Sequence, residues 1–327
     1  MNRNEYMAHL RNILRNTGEE EKEELLESIE DHFDNGLREG KSEQEIIEEL
    51  GPCEQFENEM PHTQRLSHLF ERFLSGWQAP RLEEKAFPYA ENFDSIFVCG
   101  GSGDVDIVKA DSFRYASRKP EEVSFRLHER GLWIQLSATD VTLMLPDLST
   151  LTLEKEKGDI TITNLVLDKL LVRGDTGDIE IDNIQTDQAD IQTKIGDIEV
   201  ENIQADVVSL QTNVGDISLQ DASVQHLQLA TPLGDIELQH LAGETLEASS
   251  QTGDIDASFI SHSTQNLTTK HGDIDYAVQE DQTIHYHLFT GDFTNDTPLK
   301  SSGDNQVGVG LKQVSLSTSS GDIELHQ

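Results

Sequence analysis

The strongest chemical signal in this sequence is a dipeptide that recurs every 19 residues. Gly-Asp stands at Gly158-Asp159, Gly177-Asp178, Gly196-Asp197, Gly215-Asp216, Gly234-Asp235, Gly253-Asp254, Gly272-Asp273 and Gly291-Asp292. Weaker copies flank the array at Gly103-Asp104, Gly303-Asp304 and Gly321-Asp322. Carboxylates at constant spacing could do two kinds of chemistry. They could brace a turn, with Gly supplying positive φ and Asp accepting a hydrogen bond from the backbone N–H two residues on. They could instead stack into a column that binds cations or a basic ligand. Calcium needs about six to eight oxygens, and the repeat lacks the glycine-dense nonapeptide of calcium-binding β-rolls. The eight pairs are therefore read as a structural turn ladder, with nonspecific cation screening around it.

Other reactive residues are sparse. His285 and His287 lie two apart around Tyr286, on one face of a strand, with His271 one repeat earlier. Two imidazoles and a carboxylate can ligate zinc, but no third ligand is fixed by spacing, so the pair is a weak metal candidate only. His9, His32, His62 and His68 read as surface residues, and His226 and His240 show no pairing logic. Cys53 and Cys99 match no metal or redox spacing. Polysaccharide cleavage on a solenoid would need a poised base and clustered cations. From residue 158 onward Lys and Arg are reduced to Lys169, Arg173, Lys194, Lys270, Lys300 and Lys312, without clustering. There is no Gly-x-Ser-x-Gly elbow, P-loop or dinucleotide fingerprint, and Gly101-Ser102-Gly103-Asp104 precedes a strand rather than a helix. No catalytic residue and no cofactor is assigned.

Composition narrows the partners. The 327 residues carry 62 Asp+Glu against 24 Lys+Arg, a formal net charge of −38. That charge argues against nucleic acid, whose phosphates need clustered Lys and Arg, and against anionic lipid. A basic protein, a neutral ligand or a cation fits. Two Cys cannot make a disulfide framework, which suggests a reducing compartment. No basic-then-apolar leader and no membrane-spanning apolar run is present. The expected location is cytoplasmic, with non-classical export left open.

Patterning divides the chain. Residues 1–75 read as helices. Tyr6, Leu10, Ile13 and Leu14 form one apolar stripe, and Leu25, Leu26, Ile29, Phe33 and Leu37 a second. Ser42 with Glu45 forms a capping box, and Gly51-Pro52 stops the helix it opens. Residues 76–90 read as a linker. Over 91–157 the period changes to two, in Ile96/Val98, Val105/Ile107, Val123/Phe125/Leu127, Leu132/Ile134/Leu136 and Val141/Leu143/Leu145, with Gly100-Gly101 among the breaks. Residues 158–327 hold the repeat. Apolar residues recur two, four, seven and fourteen places after each Gly, and a hydroxyl sixteen after, at Thr193, Thr212, Thr231, Ser250 and Thr269. One such unit cannot bury its own apolar face, but stacked units can. The expected fold is mainly β: a parallel β-solenoid, or β-helix, of 19-residue coils with a small N-terminal all-α domain. Its coils should stack in chain order from Gly158 to Gly291. Residues 91–157 should cap or extend one end, and Thr294 to Ser320 should close the other.

Two resemblances rest on these residues. Residues 1–60, with Glu5-Tyr6, the Glu-rich second helix and the block from Gly40 to Gly51, resemble the HTH-associated α-helical signalling (HAAS) domain. Its usual Asp after the last Gly is here Pro52. Residues 91–327, with Gly103 to Ile107, Val141 to Pro146 and the Gly-Asp-Ile series, resemble the bacterial adhesin-type β-repeat family of LiaG-like and YvlB-like proteins. That resemblance implies a right-handed or similar β-solenoid and a link to cell-envelope stress, and it carries no catalytic residues.

The leading expectation is a non-enzymatic scaffold, with the helical domain engaging a regulatory or envelope-stress protein and the acidic solenoid as binding surface. An exported adhesin or glycan binder is the alternative. A polysaccharide-active β-helix enzyme is the third reading.

Overall fold

The computed structural model describes residues 93–327 apart from 129, 280, 298–300 and 304, together with Arg3, Tyr6, Met7, Phe33 and the strand Lys85–Ala86. The chain divides into two compact units, Met1–Leu82 and Glu83–Gln327. In the first, Arg3, Tyr6, Met7 and Phe33 are helical. Tyr6 and Phe33 are fully buried and meet edge to face, ring centres 5.9 Å apart, and the Arg3 guanidinium lies 5.5 Å from the Phe33 ring centre. These are two stripe residues of the first and second expected helices brought into contact. The other helical readings, Cys53, and His9, His32, His62 and His68 lie outside the described residues. Lys85–Ala86, inside the stretch read as a linker, pairs antiparallel with Arg114–Ser117.

The second unit is a stack of parallel coils. The stretch from Gly177 to Ile195 shows how one coil is built. A corner at Gly177-Asp178 leads into a strand that starts at Ile179 and turns again at Asn183, where φ is 54°. The chain then continues to Ile195, and the next corner follows. Each residue of this coil faces its equivalent 19 places later: Ile179 pairs with Ile198, Ile181 with Val200, Ile184 with Ile203 and Ile191 with Leu210. The same register joins Ile160–Thr176 to Ile179–Ile195 and continues to Ile274–Ala277. Alternating residues point into the stack, so Ile160, Ile179, Ile198, Ile217, Ile236, Ile255 and Ile274 form one buried column. Each buried Ile or Leu contributes about 1.5–3 kcal/mol. A further column, twelve places after each Gly, runs through Leu170, Ala189, Val208, Leu227 and Leu246. Its last member, Gln265, is also buried, and a polar residue there hides the column from hydropathy alone. Gly100 and Gly101 do not break a strand; both lie within Ser95–Ser102.

At both ends the order of the coils departs from the order of the chain. Ser95–Ser102 lies between Gly131–Ala138 and Thr150–Lys157. Val105–Lys109 likewise lies between Val141–Leu145 and Ile160–Thr176. At the other end Ser261–His271 pairs with Lys312–Ser320, and Ile274–Ala277 with Ile323–His326. The strands Gln282–Leu288 and Phe293–Asn295 lie on the far side of that inserted coil. The coil after Gly272 is therefore the one at Gly321, and Gly291 comes last. This corrects the expectation of stacking in chain order.

Side-chain chemistry explains the exchange. The coil that covers Gly272 must present a hydroxyl three places before its own Gly and an aliphatic residue two places after. Thr318 and Ile323 meet both needs, and Thr318 Oγ1 donates to the Gly272 carbonyl at 2.9 Å. The corresponding residues of the Gly291 coil are Leu288 and Phe293.

In this order Lys312–Ser320 and Ile323–His326 pair on both edges. Antiparallel strands close the ends. Val123–His128 covers Gly131–Ala138, Arg114–Ser117 covers Val141–Leu145, and Gln306–Gly308 covers part of Gln282–Leu288. Among the described residues of the segment expected to close the C-terminal end, Thr294 and Asn295 and the hairpin Ser301–Gly303 with Gln306–Gly308 lie at that end, whereas Lys312–Ser320 is interior.

Because the last strands of the chain form an interior layer, deleting residues 311–327 should do more than shorten the stack. The expected calorimetric result is loss of a single cooperative transition, with the Gly272 and Gly291 coils separated. A melting temperature within about 2–4 °C of the intact chain, the change expected for only ~1 kcal/mol in a unit of this size, would show that the segment is peripheral.

Candidate binding surfaces along the solenoid

The Gly-Asp corner is built by contacts between coils. Its glycines adopt φ values from 108° at Gly103 to 155° at Gly321, with Gly272 outside the positive region. A second constraint acts at every one of them. A Cβ on Gly215 would collide with the Gly196 carbonyl of the coil before, and the same holds at Gly177, Gly196, Gly234, Gly253 and Gly272. The Asp side chain does not hold its own turn, as the spacing suggested. Its Oδ1 accepts the backbone N–H of the Asp in the next coil: Asp178 N–H to Asp159 at 2.9 Å, Asp197 N–H to Asp178 at 2.8 Å, and Asp235 N–H to Asp216 at 2.7 Å.

The ladder runs unbroken through both exchanged ends, from Asp140 through Asp104 to Asp159, and from Asp273 through Asp322 to Asp292. Gly103-Asp104 and Gly321-Asp322 are thus full rungs, while Gly303 lies in the closing hairpin. Inside the corner the recurring hydroxyls complete the bonding. Thr212 Oγ1 donates to the Gly196 carbonyl at 2.9 Å, Thr231 to Gly215 at 2.9 Å, Ser250 to Gly234 at 3.0 Å and Thr269 to Gly253 at 2.8 Å. The hydroxyl repeat was visible in the sequence; its acceptor was not. Asp159 is held above the usual carboxylate range by burial, against the opposing Asp178 amide bond, with Asp104 and Asp178 adding like charge.

The strand after the corner turns acidic residues outward in most coils, with Thr161 and Ser218 at that position in two of them. Glu180 lies beside Glu199, Glu237 beside Asp256, Asp256 beside Asp275, and Asp275 beside Glu324; Asp182 lies beside Glu201 in a second column. Like charges directly opposite each other destabilise a sheet. Glu201 is raised first by burial and then by Asp182, Glu199, Asp221 and Glu180. Asp256 is raised by burial, Asp275 and Glu237, with His326 opposing. His326 Nδ1 lies against the Asp275 carboxylate.

The second corner carries a different column. Asn164, Asn183, Asn202, Asp221, His240 and Phe259 occupy equivalent positions, all with φ between 53° and 60°. The first five border an open groove of about 610 Å³ that also takes in Asp182, Gln204, Ala222 and Ser223, and Phe259 stands one coil beyond it. Asn183 Nδ2 donates to Asn164 Oδ1 at 2.5 Å, and Asn202 Nδ2 to Asp182 Oδ1 at 3.0 Å. His240 Nδ1 lies 3.7 Å from Asp221 Oδ1, and its ring stacks on Phe259 with centres 4.8 Å apart and planes 8° from parallel.

The remaining candidates separate. His285 and His287 point outward from Gln282–Leu288 beside Ser315 and Ser317, whereas His271 pairs with Ser320 of the inserted coil. Among the described residues no group of three or more His, Cys, Asp or Glu side chains converges to hold a metal ion. Burial, with Glu154 nearby, pushes the half-buried Cys99 thiol up.

Two buried cations-to-be escaped the sequence reading. Lys155 is 4% exposed, between Gly100 and Gly174 in its column; its Nζ has no hydrogen-bond partner, and burial lowers its pKa. His262 reaches over Gly243 to the Val224 carbonyl two coils away, Nε2 to oxygen 3.1 Å. The carbonyl can only accept, so Nε2 carries the proton, and Nδ1 is buried without a partner. Burial brings the His262 pKa down to about 4.

A solenoid whose polar groups recur as columns, rather than converging on one point, defines a repeat protein with extended surfaces. The chain belongs to the Toastrack DUF4097 family, whose model matches residues 88–206 and 167–326, and residues 5–56 match the HAAS family model. No curated protein matches the chain. Three solved structures are similar to it. A candidate adhesin from Bacteroides fragilis is 16% identical, covering 76% of this chain and 98% of that one, with a TM-score of 0.39. A candidate cell adhesion protein from Clostridium sporogenes is 11% identical, covering 76% and 99%, with a TM-score of 0.19. A candidate adhesin from Parabacteroides distasonis is 13% identical, covering 75% and 97%, with a TM-score of 0.26.

Two measurements check this bonding. Thr212→Val keeps the shape but leaves the Gly196 carbonyl without its donor, so chemical denaturation should show a loss of about 1–3 kcal/mol; no loss would show that the hydroxyl ladder is incidental. His262 should make stability depend on acid. Its folded pKa lies below the unfolded value of 6.5, so below 6.5 the unfolded chain takes up a proton that the folded one refuses. The contribution of His262 should be constant above pH 6.5, fall between 6.5 and about 4, and level off below, by about 3 kcal/mol in all. His262→Gln, which can still donate to Val224, should remove that slope when the two proteins are compared at each pH.

Proposed function

We propose that this chain is a non-enzymatic, cytoplasmic scaffold in cell-envelope stress signalling. The segment matching the HAAS model would engage a regulatory protein, and the solenoid would offer its acidic face to a basic protein surface. The observation that carries this reading is the in-register acidic face itself. Glu237, Asp256 and Asp275 are stacked at the ~4.8 Å spacing of strands, Glu180 stands over Glu199 in the same column with Ser218 between the two groups, and Asp182 stands over Glu201 beside them; burial and then neighbouring carboxylates raise Glu201 and Asp256. A basic partner would relieve that repulsion. Its binding would be fast and salt-dependent, because exposed charges steer association and are screened by ions. The match of residues 5–56 to HAAS supports a protein-interaction role for the N-terminal unit.

Crosslinking with mass spectrometry in native cells, using the full chain, tests partner and compartment together. The wild type should recover a specific cytoplasmic protein, and the triple variant Glu199→Lys, Glu237→Lys, Asp256→Lys should lose it at least tenfold. Identical recovery by both proteins would remove the acidic face from the function, and recovery only of extracellular components would overturn the location.

A further inference from the structure

We propose that the groove at the second corner binds a linear, uncharged polysaccharide. This goes beyond the protein-binding reading and does not depend on it: the groove adjoins the acidic strand face at Asp182, but Phe259 and Asp221, which test it, are not among the residues varied there. Three observations meet here. The column Asn164, Asn183, Asn202, Asp221 and His240 presents amide, carboxylate and imidazole groups at one coil step after another beside an open groove of about 610 Å³. Together these groups supply donors and acceptors, the amides both and the carboxylate acceptors alone, which matches a chain of sugar hydroxyls. The column then ends on Phe259, which is 60% exposed. One face of its ring rests on His240 and fixes its plane. Sugar rings carry an apolar C–H face that stacks on such a platform.

The third observation is conformational. Asn, Asp and His tolerate the left-handed corner, whereas a bulky residue there is an outlier. Phe259 nevertheless sits at φ 56°. It serves neither the fold, which Asn serves at three other corners, nor the core, from which it points away. Strained residues that the fold does not need cluster at ligand contacts. Charge selects the class of ligand. Asp182 and Asp221 line the groove, in a chain of net charge −38, so uronic or phosphorylated polymers are repelled.

Calorimetric titration of the full chain with cellohexaose and with N-acetylchitohexaose, and with a hyaluronan hexasaccharide as the anionic control, tests this. Saturable binding is expected for at least one neutral hexasaccharide and not for the anionic one. Phe259→Asn should weaken binding at least tenfold while raising the melting temperature, because it installs the residue that the corner prefers. Asp221→Asn, also compatible with the corner, should weaken binding without lowering the melting temperature. Absence of saturable binding by both neutral sugars overturns the proposal. So does undiminished binding by Phe259→Asn, and so does equal binding of the anionic sugar.

Discussion

Each coil must hydrogen-bond its neighbour at the corner where one strand ends and the next begins, and that single requirement organises the molecule. A Cβ is forbidden there because the carbonyl of the previous coil occupies its place. The exposed amide one residue later is taken by the carboxylate of the previous Asp. The Gly carbonyl, turned inward, is taken by a buried hydroxyl. Gly, Asp and Thr or Ser thus form one bonded unit spread over two coils. None of the three can change without leaving a polar group unpaired or an atom in collision.

A parallel stack in constant register also places like over like. In the core that is favourable, since columns of Ile and Leu bury one another continuously. On the surface it multiplies whatever a coil carries, so a single Glu becomes a row of carboxylates and a single Asn a groove edge. Function in such a molecule is distributed along lines. A chain of repeated groups, whether a basic protein face or a polymer of sugars, is the matching form of ligand.

The interior also uses the stack to make exceptions. Where Gly243 leaves a gap, His262 crosses it to a carbonyl two coils away. Nearby, Tyr276 donates to Gln265 and Gln282 donates to Tyr276, in a fully buried polar chain where the regular coils give way to the exchanged ones. Lys155 stands between two glycines where the first regular coil meets the exchanged N-terminal one. Departures from the apolar pattern therefore collect at the two places where chain order and stacking order part.

Periodicity alone determined the coil. Nineteen-residue spacing, alternation after each Gly, and a recurring hydroxyl are local signals, and in a parallel stack local equivalence becomes spatial equivalence. Tyr6 and Phe33 were likewise assignable to apolar helix faces before their rings were seen to meet. What only the tertiary structure decided is which coil lies on which. Gly291 keeps the beat, yet Gly321 takes its place, because pairing depends on whether facing side chains can satisfy each other, and the relevant partners, Thr318 and the Gly272 carbonyl, lie 46 residues apart. The direction of the Asp bond was hidden for the same reason: a carboxylate has no preference for its own turn over an amide that arrives from the next coil. The column at the second corner was hidden too, since it passes from Asn164, Asn183 and Asn202 to Asp221, His240 and Phe259, and what all six share is a backbone conformation.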